Sequence, residues 1–150
     1  MSSVFALATP ATKSALCVFR VSGFGCLDVF GSIFNKKLDE PRKFYQRSLV
    51  SDGVVIDKVG VVFFKGPSSY TGEDSFEIYA HGGLAVMASI VDLFKSVGFD
   101  EAGPGEFTKR AFINGKLSLS EAESVVDVIN ASNKDVLEVS LNSLRGGFSE

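Results

Sequence analysis

Between Ser75 and Val97 the hydrophobic pattern switches from alternation to helical spacing, and that switch narrows the folds open to this chain. In Ser75–Ala80 (SFEIYA), Phe76, Ile78 and Ala80 face one way and Glu77 and Tyr79 the other, as in a strand with one buried face. His81-Gly82-Gly83 interrupts the pattern. Leu84 to Val97 then places Met87, Ile90, Val91, Phe94 and Val97 on one helical stripe, with Gly98 as a stop. A strand followed by an amphipathic helix calls for a sheet with flanking helices.

The rest of the chain fits that demand. Val4–Ala8 is a short apolar run, and Ala15–Ser22 (ALCVFRVS) reads as a strand with one charge, Arg20, in its middle. Cys26–Phe34 has helical spacing, and Lys36–Arg47 reads as a polar, basic loop. Strands are expected near Arg47–Ser51 and over Lys58–Phe64, with Asp52-Gly53 turning the chain between them. An exposed loop covers Gly66–Asp74. Gly103-Pro104-Gly105 opens a further loop with a short mixed segment ending at Asn114-Gly115. Ser120–Ala131 reads as a helix with Ser120 and Glu123 at capping-box spacing and Val125, Val126 and Ile129 as its apolar face. Asp135–Leu144 continues the helical pattern, and the chain is expected to end inside a helical region. The result is an α+β domain, a mixed or antiparallel sheet with flanking helices, followed by helices of a second domain.

Phe occurs 14 times in 150 residues while Trp is absent, and the scattered Phe residues read as core filling. The net charge of −3 argues against a domain that holds nucleic acid by charge alone. Cys17 and Cys26 show no metal or redox spacing and fit a reducing compartment. With no signal-peptide pattern and no apolar run long enough to span a bilayer, a cytoplasmic protein is expected, with no membrane partner.

Several chemistries fail on inspection. Asn114-Gly115-Lys116-Leu117 resembles half a phosphate loop, but Leu117 stands where Ser or Thr must hold magnesium and Arg110 where a glycine must turn the chain. Gly23-Phe24-Gly25 lacks the third glycine of a dinucleotide fingerprint, since Asp28 occupies its place. Glu73, Asp74, Glu77 and His81 form an acidic cluster beside a histidine, and a solvated turn plus a strand face accounts for them better than a metal site. No base is placed to activate a Ser or Cys, so no catalytic residue is assigned.

Glu77 and Arg20 are single charges within apolar strands, and each is open to two readings: a solvated strand face, or a ligand contact. A carboxylate in a pocket suits paired donors on a flat heterocycle. Pro104–Leu119 (PGEFTKRAFINGKLSL) mixes cations with the aromatic anchors Phe107 and Phe112. That composition suits an anion-bearing ligand with an aromatic part, and equally a structural connector.

These residues resemble a known family. Ala8-Thr9-Pro10, Phe19–Gly23 (FRVSG), Ser69–Asp74 (SYTGED), His81-Gly82-Gly83, Pro104–Leu119, and Ala122-Glu123 with Asp127 and Ile129 follow the order and spacing of the N-terminal domain of the MnmE/TrmE tRNA-modification GTPases. The resemblance implies a domain like the folate-binding domain of glycine-cleavage T-proteins, which binds a 5-formyl-tetrahydrofolate type carrier and forms homodimers. It divides the chain into a folate-binding, dimerising part over 1–118 and the first helices of a helical domain over 119–150, with the GTPase domain outside this chain. The parent family is a GTP hydrolase using magnesium and potassium. With the flavoprotein MnmG it adds an aminomethyl-type group to the wobble uridine of tRNA, while this portion alone is expected not to be catalytic. The family's folate contacts carry over onto Arg20, Glu77 and Lys116. Lys109 and Arg110 rank below them as ligand contacts. One departure is the stretch Ala11-Thr12-Lys13-Ser14, which is glycine-rich in the family. Two other readings stand beside this one: a purely structural dimerisation module without folate, and a free-standing one-carbon transferase of the T-protein kind.

Overall fold

Alternation in the strands builds a single sheet with one apolar face. Its strands are β1 (Val4–Leu7), β2 (Leu16–Ser22), β3 (Tyr45–Ser51), β4 (Val54–Phe64), β5 (Ser75–His81) and the two-residue β6 (Asp100–Glu101). In the computed structural model, which describes residues 2–130, they are ordered β3-β4-β5-β2-β1-β6. All neighbours are antiparallel except β1 and β6, so the sheet is mixed. The chain falls into two compact units, Met1–Ser69 with Glu73–Ala102, and Tyr70–Gly72 with the chain from Gly103 onward. The sheet belongs to the first.

One face of the sheet is the core. Phe19, Val21, Val61, Phe76 and Ile78 are fully buried. Two helices, α1 (Phe30–Ile33) and α2 (Leu84–Ser96), cover this face. Phe30 meets Phe76 at 5.0 Å between ring centroids, and Phe94 meets both Phe5 at 5.3 Å and Phe19 at 5.9 Å. Tilted and edge-on aromatic pairs of this kind contribute about 0.5–1.5 kcal/mol each beyond area burial. Among the described residues eight Phe side chains do fill the core, while Phe24, Phe44 and Phe112 are exposed.

Turn chemistry fixes the boundaries. Asp52 (φ 49) and Gly53 (φ 77) close the β3–β4 hairpin as a two-residue turn with both central residues left-handed. At the end of α2, Gly98 is left-handed (φ 93). Its N–H bonds to the Lys95 carbonyl, and the Phe99 N–H bonds to that of Phe94. The two rings of this closing motif pack at 5.6 Å.

Three elements differ from the expectations above. Cys26–Phe34 is a 3₁₀ turn, Cys26–Val29, passing into a single α turn rather than one helix. The three-residue spacing of Leu27, Phe30 and Ile33 satisfies either geometry. β3 starts at Tyr45 and β4 at Val54, so the basic loop is shorter and the hairpin longer than expected.

In the second unit, the mixed segment after Gly105 is a helix, α3 (Glu106–Ile113). A capping correction concerns α4 (Leu119–Asn130). The box that opens it is Ser118 with Glu121: the Glu121 N–H donates to Ser118 Oγ at 3.1 Å, and the Ser118 N–H to Glu121 Oε1 at 2.9 Å. Ser120 and Glu123 repeat the same spacing two residues later, inside the helix. Val125 and Val126 are half-buried. The Ile129 side chain and the expected helix over Asp135–Leu144 lie outside what is described.

Candidate functional site

The second face of the sheet carries no helix of the first unit, and it holds the two ambiguous charges. Arg20 on β2 stands directly across from Glu77 on β5 in the strand register. The Arg20 Nε lies 3.7 Å from Glu77 Oε1, with the two side chains 42% and 23% exposed. Neither residue is an isolated solvated charge: they form a part-sheltered pair. Tyr79, two residues along β5 on the same face, donates its hydroxyl to Glu77 Oε2 at 2.8 Å. Burial, then the Glu77 hydrogen bond and charge, push the Tyr79 phenol up to about 12, so it remains a donor at neutral pH. Reasoning from sequence passed over Tyr79, although its place two residues after Glu77 put both on one face.

Lys116 belongs to the second unit, where it follows the end of α3. Gly115 is left-handed (φ 74). Its N–H bonds to the Phe112 carbonyl, and the Lys116 N–H bonds to that of Ala111 at 2.8 Å. Asn114-Gly115-Lys116 is thus a helix stop, which gives the failed phosphate-loop match a structural explanation. Asn114 Nδ2 donates to the Thr71 carbonyl at 2.8 Å, and the Tyr70 and Thr108 hydroxyls lie 3.0 Å apart. A Cβ on Gly72 (φ 82) would sit 2.9 Å from Asn114 Cβ and 3.3 Å from Lys116 Cγ. The Tyr70–Gly72 stretch of the SYTGED motif therefore braces the exposed Lys116 segment.

The basic pair Lys109 and Arg110 splits. Arg110 is 1% exposed, with its Nε 3.1 Å from Glu106 Oε1, so its role is in packing, whereas Lys109 is exposed.

The acidic cluster disperses into separate structural duties. Glu73 is buried and accepts a hydrogen bond from Ser22 Oγ at 3.0 Å, while its backbone carbonyl accepts one from Ser69 Oγ. Asp74 accepts the Gly66 N–H at 2.9 Å and faces Lys65 Nζ at 3.6 Å. His81 ends β5, where Asp57 accepts its N–H at 2.9 Å and contacts its Nδ1 at 2.8 Å. Burial alone would raise the Asp57 carboxyl, but the His81 hydrogen bonds and charge, with the Lys58 N–H, bring it below its ordinary value. Among the described residues, no three His, Cys, Asp or Glu side chains converge on a metal position. Cys17 and Cys26 are buried, and burial pushes the Cys26 thiol up to about 12, which makes it a poor nucleophile.

The His81-Gly82-Gly83 motif also has a packing cause. A Cβ on Gly82 would lie 2.3 Å from the Ser14 carbonyl oxygen, and the Ser14 N–H bonds to the Gly82 carbonyl. The Ala11–Ser14 stretch, poor in glycine, is anchored at this point. No described helix is long and apolar enough to cross a membrane.

The chain is similar to known proteins. The family model described as the GTP-binding protein TrmE N-terminus matches residues 3–116. Proteins named tRNA modification GTPase MnmE are similar over essentially the whole chain. That of Pseudothermotoga lettingae is 43% identical over 150 residues, 99% of this chain and 33% of its own length. That of Thermotoga maritima is 41% identical over 151 residues, 100% of this chain and 34% of its own. That of Flavobacterium johnsoniae is 41% identical over 153 residues, 98% and 33% respectively. The chain spans about a third of the length of these relatives. With the FRVSG and SYTGED motifs accounted for in the fold and the model match covering most of the sequence, the chain belongs to the family of the TrmE N-terminus.

Proposed function

We propose that this chain is the tetrahydrofolate-binding, homodimer-forming N-terminal part of a tRNA wobble-uridine modification GTPase. The observation that carries the reading is the Arg20–Glu77 pair on the part-exposed face of the sheet, opposite the core. The donor set fits the chemistry of a reduced folate. A carboxylate offers about four acceptor positions, suited to the adjacent N–H donors of the amino-pyrimidinone edge of a pterin. Arg20 supplies a cation for carbonyl or carboxylate oxygens, and Lys116 keeps its assignment from the family resemblance alone. The likeness to the folate domain of T-proteins belongs to the same reading. So do the cytoplasmic location, the flavoprotein partner MnmG and the tRNA substrate. GTP, magnesium and potassium are assigned to the part of the parent beyond this chain.

Calorimetric titration with 5-formyl-tetrahydrofolate tests the proposal. Glu77→Ala removes two charge-assisted hydrogen bonds to the ligand, each worth about 1.5–3 kcal/mol, so affinity is expected to fall on the order of 100-fold or more. Unchanged affinity in that variant would sink the assignment of Glu77. A wild-type chain that dimerises in sedimentation experiments but takes up no folate would favour the purely structural reading.

A further inference from the structure

The Glu77 carboxylate is held from a second side, and what holds it is itself built into the sheet. Tyr79 donates to Oε2 at 2.8 Å while Arg20 approaches Oε1 at 3.7 Å, so the carboxylate is contacted at both oxygens and constrained in rotation. A carboxylate has more acceptor positions than the Tyr79 hydrogen bond uses, so it can still accept from a ligand. The Tyr79 ring is fixed in turn. It stands between Val18 on β2 and Gly60 on β4 in the register, and Phe44 packs on it at 6.1 Å between centroids, tilted by 40°. Gly60 makes that packing possible: a Cβ there would lie 2.2 Å from Phe44 Cζ and 2.5 Å from Cε2. A glycine inside a strand weakens it and commonly marks a close approach of another group, here the Phe44 ring.

We infer that Tyr79 is a positioning residue for Glu77, locked by Phe44 seated over Gly60, and that this lock sets how strictly the site selects a ring edge with two adjacent N–H donors. The inference rests on the folate reading above and deepens it. An oriented carboxylate accepts both donors at good geometry, whereas a freely rotating one accepts either donor with little preference for the pair. The lock therefore acts on discrimination between ligands as well as on affinity. A role confined to stability would leave discrimination unchanged.

The test uses the 150-residue chain and two probes, 5-formyl-tetrahydrofolate and its analogue with the 2-amino group replaced by methyl, titrated calorimetrically. Tyr79→Phe keeps the ring and removes only the hydroxyl. It is expected to weaken the natural ligand about fivefold to tenfold, the equivalent of one hydrogen bond, and to narrow the preference over the analogue, with the melting temperature unchanged. Gly60→Ala, which removes no polar group, is expected to narrow the same preference by displacing Phe44. Wild-type affinity and preference in Tyr79→Phe would overturn the positioning role while leaving Glu77 as a folate contact. Unaltered preference in Gly60→Ala would remove Phe44 and Gly60 from the lock. Absence of folate binding by the wild type would overturn the underlying reading and this inference together.

Discussion

The two faces of the sheet are made of the same strands, yet they serve opposite ends. On one face Phe19, Val21, Phe76 and Ile78 are fully buried beneath α1 and α2. On the other, one residue along each strand, Arg20, Glu77 and Tyr79 stay part-exposed and bond to one another. The contrast sets a packed apolar face against a part-exposed polar one within a single strand. Replacing Ile78 or Phe76 would damage the fold, while replacing Glu77 between them would damage only what the face can bind.

The largest expected effect comes from the apolar face. Phe76 meets Phe30, Phe34, Phe94 and Phe99. Phe76→Ala should therefore cost about 3–5 kcal/mol by denaturant unfolding. A loss below about 1 kcal/mol would mean that the two faces are not divided as described.

At the rim of the other face, the Asp57–His81 pair gives a smaller, pH-dependent effect. The Asp57 carboxyl lies below its ordinary value in the folded state. Its stabilisation is thus present above the unfolded value of about 3.9 and is lost as pH falls through the folded one. Thermal melts of wild type and Asp57→Asn should converge below about pH 4. A stability gap that is constant from neutral pH into that range would show that the carboxylate's charge contributes nothing.

The smallest expected effect is that of Glu77→Ala on stability, within about 1 kcal/mol. A part-exposed ion pair at 3.7 Å is screened by water and salt. Set beside the large loss of ligand affinity expected for the same variant, this near-neutrality sharpens the contrast between the faces. A destabilisation comparable to that of Phe76→Ala would erase it.

Much of the fold was legible because it is locally encoded. The alternation of Ser75–Ala80, the stripe of α2, the Asp52-Gly53 turn and the stop at Gly98 each follow from residues a few positions apart. The helix α3 was missed for the same reason. Its residues, EFTKRAFI, mix Phe with Lys and Arg, so no simple stripe announces it. Its buried face includes Thr108 and Arg110, residue types that usually read as exposed. The capping box was shifted by two residues because SLSEAE contains the pattern twice, and only the backbone decides which copy closes.

The site divides along the same line. Along the chain alone, Arg20 and Glu77 stand in the middle of apolar strands, Glu77 and Tyr79 share a face, and the motifs of the family are present. The sequence could not tell an isolated charge from a paired one, because the partner is remote in the chain. Only the sheet register set Arg20 opposite Glu77 and Gly60 opposite Tyr79. Only packing seated Phe44 in the space that Gly60 leaves. Strand periodicity is a property of adjacent residues and can be read along the chain. Cross-strand pairing depends on which strands the fold makes neighbours, and no local pattern specifies that.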